Sequence, residues 1–578
     1  MQSVERIFDE LGHFSRFQAC VYFAAVFQSV SCGIHYLASV FLSETPNFIC
    51  YVAENITSFT LANYSGNGLD HMWNVWIPEK GYVLVNTKEG HQWELSKCSR
   101  SLRINSSHSD YEFSGNKSDF LCSDGYIYDN TDIHKSIVMD WDLVCDNEWL
   151  AKLTQPTFML GVLIGALIFG DVADRVGRRP MLIFTSVCQY VLGICVAFSF
   201  NYYIFIVLRF LLAMVCSGYL VVVFVYVTEF TGIKVRTWTS MHVHAAFAVG
   251  VMIVALIGYL VRTWWIYQII LTVTTLPFLL VCWKLPETPF YLLAKGKYKS
   301  AQDLVKWIEK TNGMKKNFDV LELIQPHKEC LLEKNLKNDI DSKIYRKLSI
   351  LDLFSSWEIA TKTITVWLVW FIGSLGYYVI SLGSVNLGGS KYINLFIAVF
   401  QLTGAVELPS YIVACLAMDK LGRRNTLAPS LILSGVACGL ITVVPQTSET
   451  LVIVLSMTGK FAIAIAFGLI YLYTCELYPT VIRSLAVGSG SMMCRIGSVV
   501  APFCVYLSSV WTFLPQVIVG VLAFVIGVLT LFLPETLGKP MTNTIEEATE
   551  QWSKKTDRKK ETTQNSLVEK IEIVPLES

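Results

Sequence analysis

The chain has 578 residues, of which 53% are hydrophobic and 16% charged, against about 25% charged residues in an ordinary soluble domain. Its 46 basic and 46 acidic side chains cancel, so no charge excess calls for nucleic acid or an acidic partner. This composition excludes a soluble globular domain and leaves a chain whose apolar runs of about 20 residues cross a bilayer.

Residues 1–16 are polar and mixed in charge and are read as a cytoplasmic N-terminus. The run 17–41 is longer than the apolar core of a cleavable leader and lacks an A-x-A site, so it is expected to be a retained first span. The polar stretch 42–148 holds Cys50, Cys98, Cys122 and Cys145 and the N-x-S/T acceptors at Asn55, Asn63, Asn105 and Asn116. Acceptors beside an even number of cysteines belong to an oxidising compartment, which predicts a glycosylated, disulfide-tied extracellular domain. Four cysteines permit three pairings.

Spans two to six fall at 149–170, 181–200, 203–228, 239–261 and 264–284, within a membrane segment 149–284. A lysine-rich, helix-permissive stretch, 285–361, follows as a cytoplasmic linker. Spans seven to twelve fall at 362–385, 392–417, 425–445, 450–474, 485–508 and 513–533, within 362–533. The tail 534–578, with the basic cluster Lys554 to Lys560, is read as cytoplasmic and solvated. With 42–148 outside, the inner short loops carry Arg175, Arg178, Arg179, Lys234, Arg236, Lys420, Arg423, Arg424 and Arg483, and the outer ones Arg262 and Lys391. Glycan acceptors and the positive-inside bias thus predict one orientation.

The chain repeats itself. "DRVGRR" (Asp174 to Arg179) returns as "DKLGRR" (Asp419 to Arg424), "TEFTGIKVRT" around Glu229 and Arg236 as "CELYPTVIRS" around Glu476 and Arg483, and "PET" at Pro286 at Pro534. The echoes follow spans two and eight, four and ten, and six and twelve, which marks a tandem duplication of six spans. Parallel six-span repeats suit carriers that rock two halves about a midplane site. Gly177 and Gly422 permit tight turns, and Asp174, Arg178, Arg179, Glu229 and Arg236, with Asp419, Arg423, Arg424, Glu476 and Arg483, are expected to latch the gate at the inner face. No G-x-x-x-x-G-K-[ST], H-E-x-x-H, G-x-S-x-G or spaced Cys/His cluster occurs, so no enzyme activity, cofactor or metal is expected.

The repeated phrase resembles the paired cytoplasmic signature of the major facilitator superfamily. The large first loop with "PETPFYLL" (Pro286 to Leu293) and "ELYPTVIRSLAVG" (Glu476 to Gly488) is similar to its organic cation/anion/carnitine branch. "GKFAIAIAFGLIYLYTCELYPT" (Gly459 to Thr480) and "CRIGSVVAPF" (Cys494 to Phe503) are nearest to that branch's carnitine transporters. The resemblance implies an all-α fold of twelve transmembrane helices in two pseudo-symmetric halves. It also implies a plasma-membrane transporter of L-carnitine and related zwitterionic or cationic solutes, with broad organic cation or organic anion transport as the alternative. A receptor or adhesion role for the glycosylated loop needs neither the duplication nor buried charges.

Charges near the bilayer centre cost about 2.5–3.5 kcal/mol each, so Glu407, Lys460 and Arg495 require reasons. In the resembling family the Arg495 position is acidic in cation transporters and arginine where anions or zwitterions are handled; a guanidinium holds a carboxylate in a bidentate fork. The bland alternative is a structural ion pair of Arg495 with Glu407 or another acid. A quaternary ammonium is received by aromatic faces. Trp370 and Tyr377 match aromatic positions of the resembling cation site, and Lys460, Phe467, Tyr471 and Thr474 form one stripe of span ten. Glu407 either faces the ammonium or serves a coupled sodium ion or proton. His244, where resembling cation transporters carry glutamine, and Phe247 lie one turn apart in span five; His244 is a contact or a packing residue. Gly373 stands where those transporters carry an acid. Arg209, near an outer span end, is expected to snorkel.

Overall fold

The computed structural model describes residues 8, 12, 14–51, 56–61, 64–67, 83–87, 92–103, 120–122, 125–131, 133–313, 353–383, 404–444, 448–479 and 482–537. The four acceptor asparagines, Lys391 and the cluster 554–560 lie outside the described residues, as does the side chain of Arg236. Among the described residues six long helices precede the linker: α1 (Arg16–Leu37), α2 (Glu148–Val176), α3 (Arg178–Ala197), α4 (Tyr202–Phe230), α5 (Ile233–Leu260) and α6 (Trp264–Val273, continued by Leu276–Val281). Six follow it: α7 (Trp357–Gly383), α8 (Val406–Leu421), α9 (Arg423–Leu440), α10 (Glu449–Leu477), α11 (Arg483–Tyr506) and α12 (Leu514–Thr530).

The two sets pack by the same plan. α1 lies on α5, α4 on α2 and α3, and α3 on α6; in the second half α7 lies on α11, α10 on α8 and α9, and α9 on α12. The halves meet where α2 packs on α11 and α5 on α8, again a pair exchanged by the duplication. Small residues allow the tightest crossings, because lipid tails supply no hydrophobic drive and helices adhere by close packing. A Cβ on Gly250 would lie 2.2 Å from the Val30 carbonyl oxygen of α1, and one on Gly497 would lie 2.5 Å from the Phe371 carbonyl oxygen of α7.

Among the described residues eight strands follow α1: β1 (Phe48–Cys50), β2 (Ile56–Leu61), β3 (Tyr64–Asn67), β4 (Val83–Thr87), β5 (Gln92–Leu95), β6 (Ser99–Arg103), β7 (Phe120–Leu121) and β8 (Tyr126–Tyr128). β1 pairs with β8, and the others form an antiparallel sheet in the order β3-β2-β4-β5-β6-β7. Of the three possible pairings the structure has Cys50–Cys122 and Cys98–Cys145. The loop rests on the first half: the amides of His134 and Lys135 donate to the Arg262 carbonyl (3.1 and 3.2 Å), and the Trp264 indole donates to Asp140 (2.7 Å).

One expectation is overturned. Arg209 does not snorkel but is fully buried in α4, its guanidinium 4.6 Å from the Phe158 ring centroid of α2 and its three nitrogens without hydrogen-bond partners among the described residues. Its position near a span end is not the deciding factor, because α4 lies inside the half, packed on α1, α2 and α3.

Candidate functional site

A cavity of about 540 Å³ lies between the halves. Tyr36 of α1, Phe224 of α4, His244 and Phe247 of α5, Tyr377 and Tyr378 of α7, Tyr411 of α8, Phe467 and Tyr471 of α10 and Arg495 of α11 line its deep part. Its wall continues along α2 and α11, past Gly170, Ala173 and Gly488, to Asp174 and Arg178 in the repeated phrase. At the opposite end of the same two helices the Lys152 ammonium sits 4.0 Å from the Tyr506 ring centroid, joining the halves there.

The aromatic side chains make a box centred on His244. Its ring centroid lies 5.5 Å from that of Tyr471, 6.0 Å from Tyr411, 6.1 Å from Phe467 and 6.2 Å from Phe224, and among the described residues its Nε2 has no hydrogen-bond partner. Such a surround of faces and edges suits an alkylated ammonium, which attracts ring quadrupoles without needing an acceptor. Phe247 meets Tyr36 edge-on at 5.2 Å, extending the wall toward α1.

Arg495 reaches the cavity, and among the described residues it has no carboxylate partner; its Nε is buried without a hydrogen bond. The bland pairing with Glu407 does not occur. Glu407 instead meets Lys460 at 3.1 Å, and the two side chains are 0% and 2% exposed. The Lys460 ammonium donates to the Tyr377 carbonyl oxygen (3.3 Å), bonds the Ser381 hydroxyl and lies 3.2 Å from the Tyr377 ring centroid. A charge pair this deep depends on close mutual approach and on hydrogen bonds to its other groups, which here are the Lys460 bonds to Ser381 and the Tyr377 carbonyl and a long one from the Tyr411 hydroxyl to Glu407 (3.5 Å).

The expected site is thus only partly assembled. Arg495, Tyr377, Tyr471, His244, Phe247 and Phe467 are brought together at the cavity. Trp370 is not in the wall: it is fully buried, donates its indole N–H to the Thr474 hydroxyl (3.1 Å) and supports Tyr471 edge-on at 4.3 Å. Glu407 and Lys460 lie behind Tyr377 rather than in the wall. Tyr36, Phe224, Tyr378 and Tyr411 escaped the sequence reading. Tyr411 was within reach, one helical turn from Glu407, whereas Phe224 sits in the uniformly apolar run "VVVFVYV", which shows no face.

At the end of the cavity that carries Asp174 and Arg178 the repeated phrases fold into two matching clamps. Arg178 pairs with Glu229 (3.0 Å), and Thr288 donates to the same carboxylate (2.6 Å); Arg423 pairs with Glu476 (2.9 Å), and Thr536 donates to it (2.7 Å). The "PET" glutamates accept the first amides of α3 and α9: Arg178 N to Glu287 at 3.1 Å and Arg423 N to Glu535 at 2.8 Å. A carboxylate there satisfies orphan donors and the positive end of the helix. Partial burial pushes the Glu535 carboxyl up, but the amides of Leu537, Arg423, Asn425 and Thr536 together hold it below its ordinary value. Gly177 and Gly422, at φ of 123° and 96°, are required for these turns, since a Cβ would lie 2.6 Å and 2.7 Å from the Glu287 and Glu535 carboxylates.

Not every residue expected in the latch joins a clamp. Glu476 pairs with Arg423 and not with Arg483, whose Nε donates to the Tyr478 carbonyl (3.3 Å). Asp174 pairs with Arg178 (2.8 Å), while Asp419 is exposed and has no ion pair among the described residues. Arg179 and Arg424 donate to the Trp283 (2.9 Å) and Leu533 (3.4 Å) carbonyls and so tie the ends of their own halves.

Residues 106–552 match the family model for the sugar (and other) transporters. The chain is 60% identical over 568 residues to "Solute carrier family 22 member 16" of Xenopus laevis, covering 98% of each protein. It is 50% identical to the Homo sapiens protein of that name, covering 99% of this chain and 97% of the other. It is 31% identical to the human "Organic cation/carnitine transporter 2", covering 95% of this chain and 94% of that protein. Among solved structures, the proton:xylose symporter XylE bound to 6-bromo-6-deoxy-D-glucose superposes with a TM-score of 0.54 at 19% identity, covering 70% of this chain and 90% of that one, a likeness of fold.

Proposed function

Because the chain belongs to the sugar (and other) transporter family of the major facilitator superfamily, we propose that it carries L-carnitine and related zwitterionic solutes across the plasma membrane by alternating access, with both termini cytoplasmic. The chain is a multi-pass transporter and not an enzyme; what is proposed is the solute, the membrane and the orientation. In this reading the substrate carboxylate forks on Arg495 and the trimethylammonium enters the box of Tyr377, Tyr411, Phe467, Tyr471 and His244. Arg178, Glu229, Arg423 and Glu476 hold each half rigid while α2 and α11, and α5 and α8, slide on one another.

The observation that carries the proposal is a cavity arginine without a carboxylate partner among the described residues, beside an aromatic box whose nearest buried carboxylate is already neutralised by Lys460. The name of the human relative, which includes carnitine, supports this substrate. The test is uptake of labelled L-carnitine by cells expressing the chain, Arg495→Ala or Arg495→Lys, with surface abundance measured for each. The expected result is saturable wild-type uptake that falls at least about a hundredfold in Arg495→Ala, the loss that accompanies removal of a charge-assisted pair of hydrogen bonds worth about 3 kcal/mol, and nearly as far in Arg495→Lys. A well-expressed wild type without uptake sinks the carnitine assignment. The unpaired arginine also favours a second reading, organic anion transport, which para-aminohippurate uptake would reveal.

A further inference from the structure

Lys460 and Glu407 touch the cavity through one ring. The Tyr377 ring is part of the cavity wall, and the Lys460 ammonium is seated on it 3.2 Å from the centroid with Glu407 3.1 Å away. An ammonium on an aromatic face with a carboxylate alongside is the arrangement by which a protein receives a cationic ligand. Here the protein's own side chain fills it. The Ser381 hydroxyl and the Tyr377 carbonyl take up its donors, and both charged side chains are shut away from water. Tyr411, one turn from Glu407, places its hydroxyl 3.5 Å from the same carboxylate, so two rings of the wall are anchored on this pair.

We propose that Lys460 is a tethered counter-cation that sets the charge preference of the cavity. By neutralising Glu407 and occupying one face of Tyr377, it leaves Arg495, among the described residues, as the uncompensated charge of the deep cavity. A solute with only a positive charge then meets an unopposed guanidinium, and a solute with a carboxylate is attracted. Lys460 touches no substrate in this account. It acts through Tyr377 and through the charge it cancels, at the range where low-dielectric surroundings leave Coulomb interactions strong. The inference rests on the reading of the cavity as the transport site, but not on L-carnitine being the solute.

The test measures uptake of L-carnitine, para-aminohippurate and tetraethylammonium by full-length wild type, Lys460→Gln, Glu407→Gln, the double variant and Lys460→Arg, normalised to surface abundance. Lys460→Gln exposes an unpaired carboxylate and is expected to raise the ratio of tetraethylammonium to carboxylate-bearing solute by about tenfold, mostly through KM. Glu407→Gln adds an unpaired ammonium and is expected to move the ratio the opposite way. The double variant returns within about threefold of wild type, and Lys460→Arg keeps the wild-type ratio. A purely structural pair would instead depress all three solutes together, with the same sign in both single variants. That result overturns the proposal, as does efficient wild-type uptake of tetraethylammonium. If one single variant does not reach the surface, the sign of the other against the double variant decides. Wild-type uptake of para-aminohippurate without L-carnitine would refute the carnitine reading alone, and the anion-to-cation ratio would still test Lys460.

Discussion

Replacing Trp370 by Phe is expected to keep most of the apolar volume behind Tyr471 while losing the indole bond to Thr474. One neutral buried hydrogen bond is worth about 1 kcal/mol, so a rise of about fivefold in KM for the transported solute is expected, with surface abundance little changed; uptake kinetics at several substrate concentrations would show it. Trp370 illustrates the limit of reading single residues. Its type and spacing place it on the correct stripe of α7, but whether a ring stands in the wall or one layer behind depends on how α10 is rotated, and that is set by packing. The same limit separates Glu407 from Lys460: each is conspicuous as a charge in an apolar run, but they lie on α8 and α10, and only the fold brings them within 3.1 Å. Arg495 was legible because nothing local can satisfy a guanidinium in mid-span.

For helices, the duplication makes a paired prediction. Gly497→Val must push α11 away from the Phe371 carbonyl of α7, and Gly250→Val must push α5 away from α1. Each is expected to cost several kcal/mol, in the range of severe overpacking, and to abolish surface delivery, checked by surface biotinylation. Gly488→Ala on the same α11, where an added Cβ meets nothing within 4 Å, is expected to be delivered normally. The order of helices and their pairing by six was legible, because charged phrases recur at fixed spacing where spans end. The rotation of each helix was not. A span such as α4, apolar nearly all round, carries no stripe to say which side faces the half, which is why Phe224 went unseen and Arg209 was placed outside.

For the whole molecule, the loop after α1 depends on its two disulfides, which close segments of 72 and 47 residues. Chain-entropy arguments value such closures at about 4 kcal/mol each, more than a short-stranded loop sheet can spare. Cys98→Ser is therefore expected to reduce surface abundance strongly, without changing the KM of the molecules that arrive, as measured by uptake against surface label. Sequence alone identified the four participants and left their pairing open, since pairing follows from the strand order.

The loop is seated on the backbone of Arg262, just before α6, and on Trp264, the first residue of α6, and so is bolted to one arm of a two-armed machine. If the arms pivot, the loop travels with the first and sweeps across the second. A fluorophore on Asp140's neighbour Trp141 and another near Trp511 would then serve as a goniometer, reading the tilt between arms without touching the cavity.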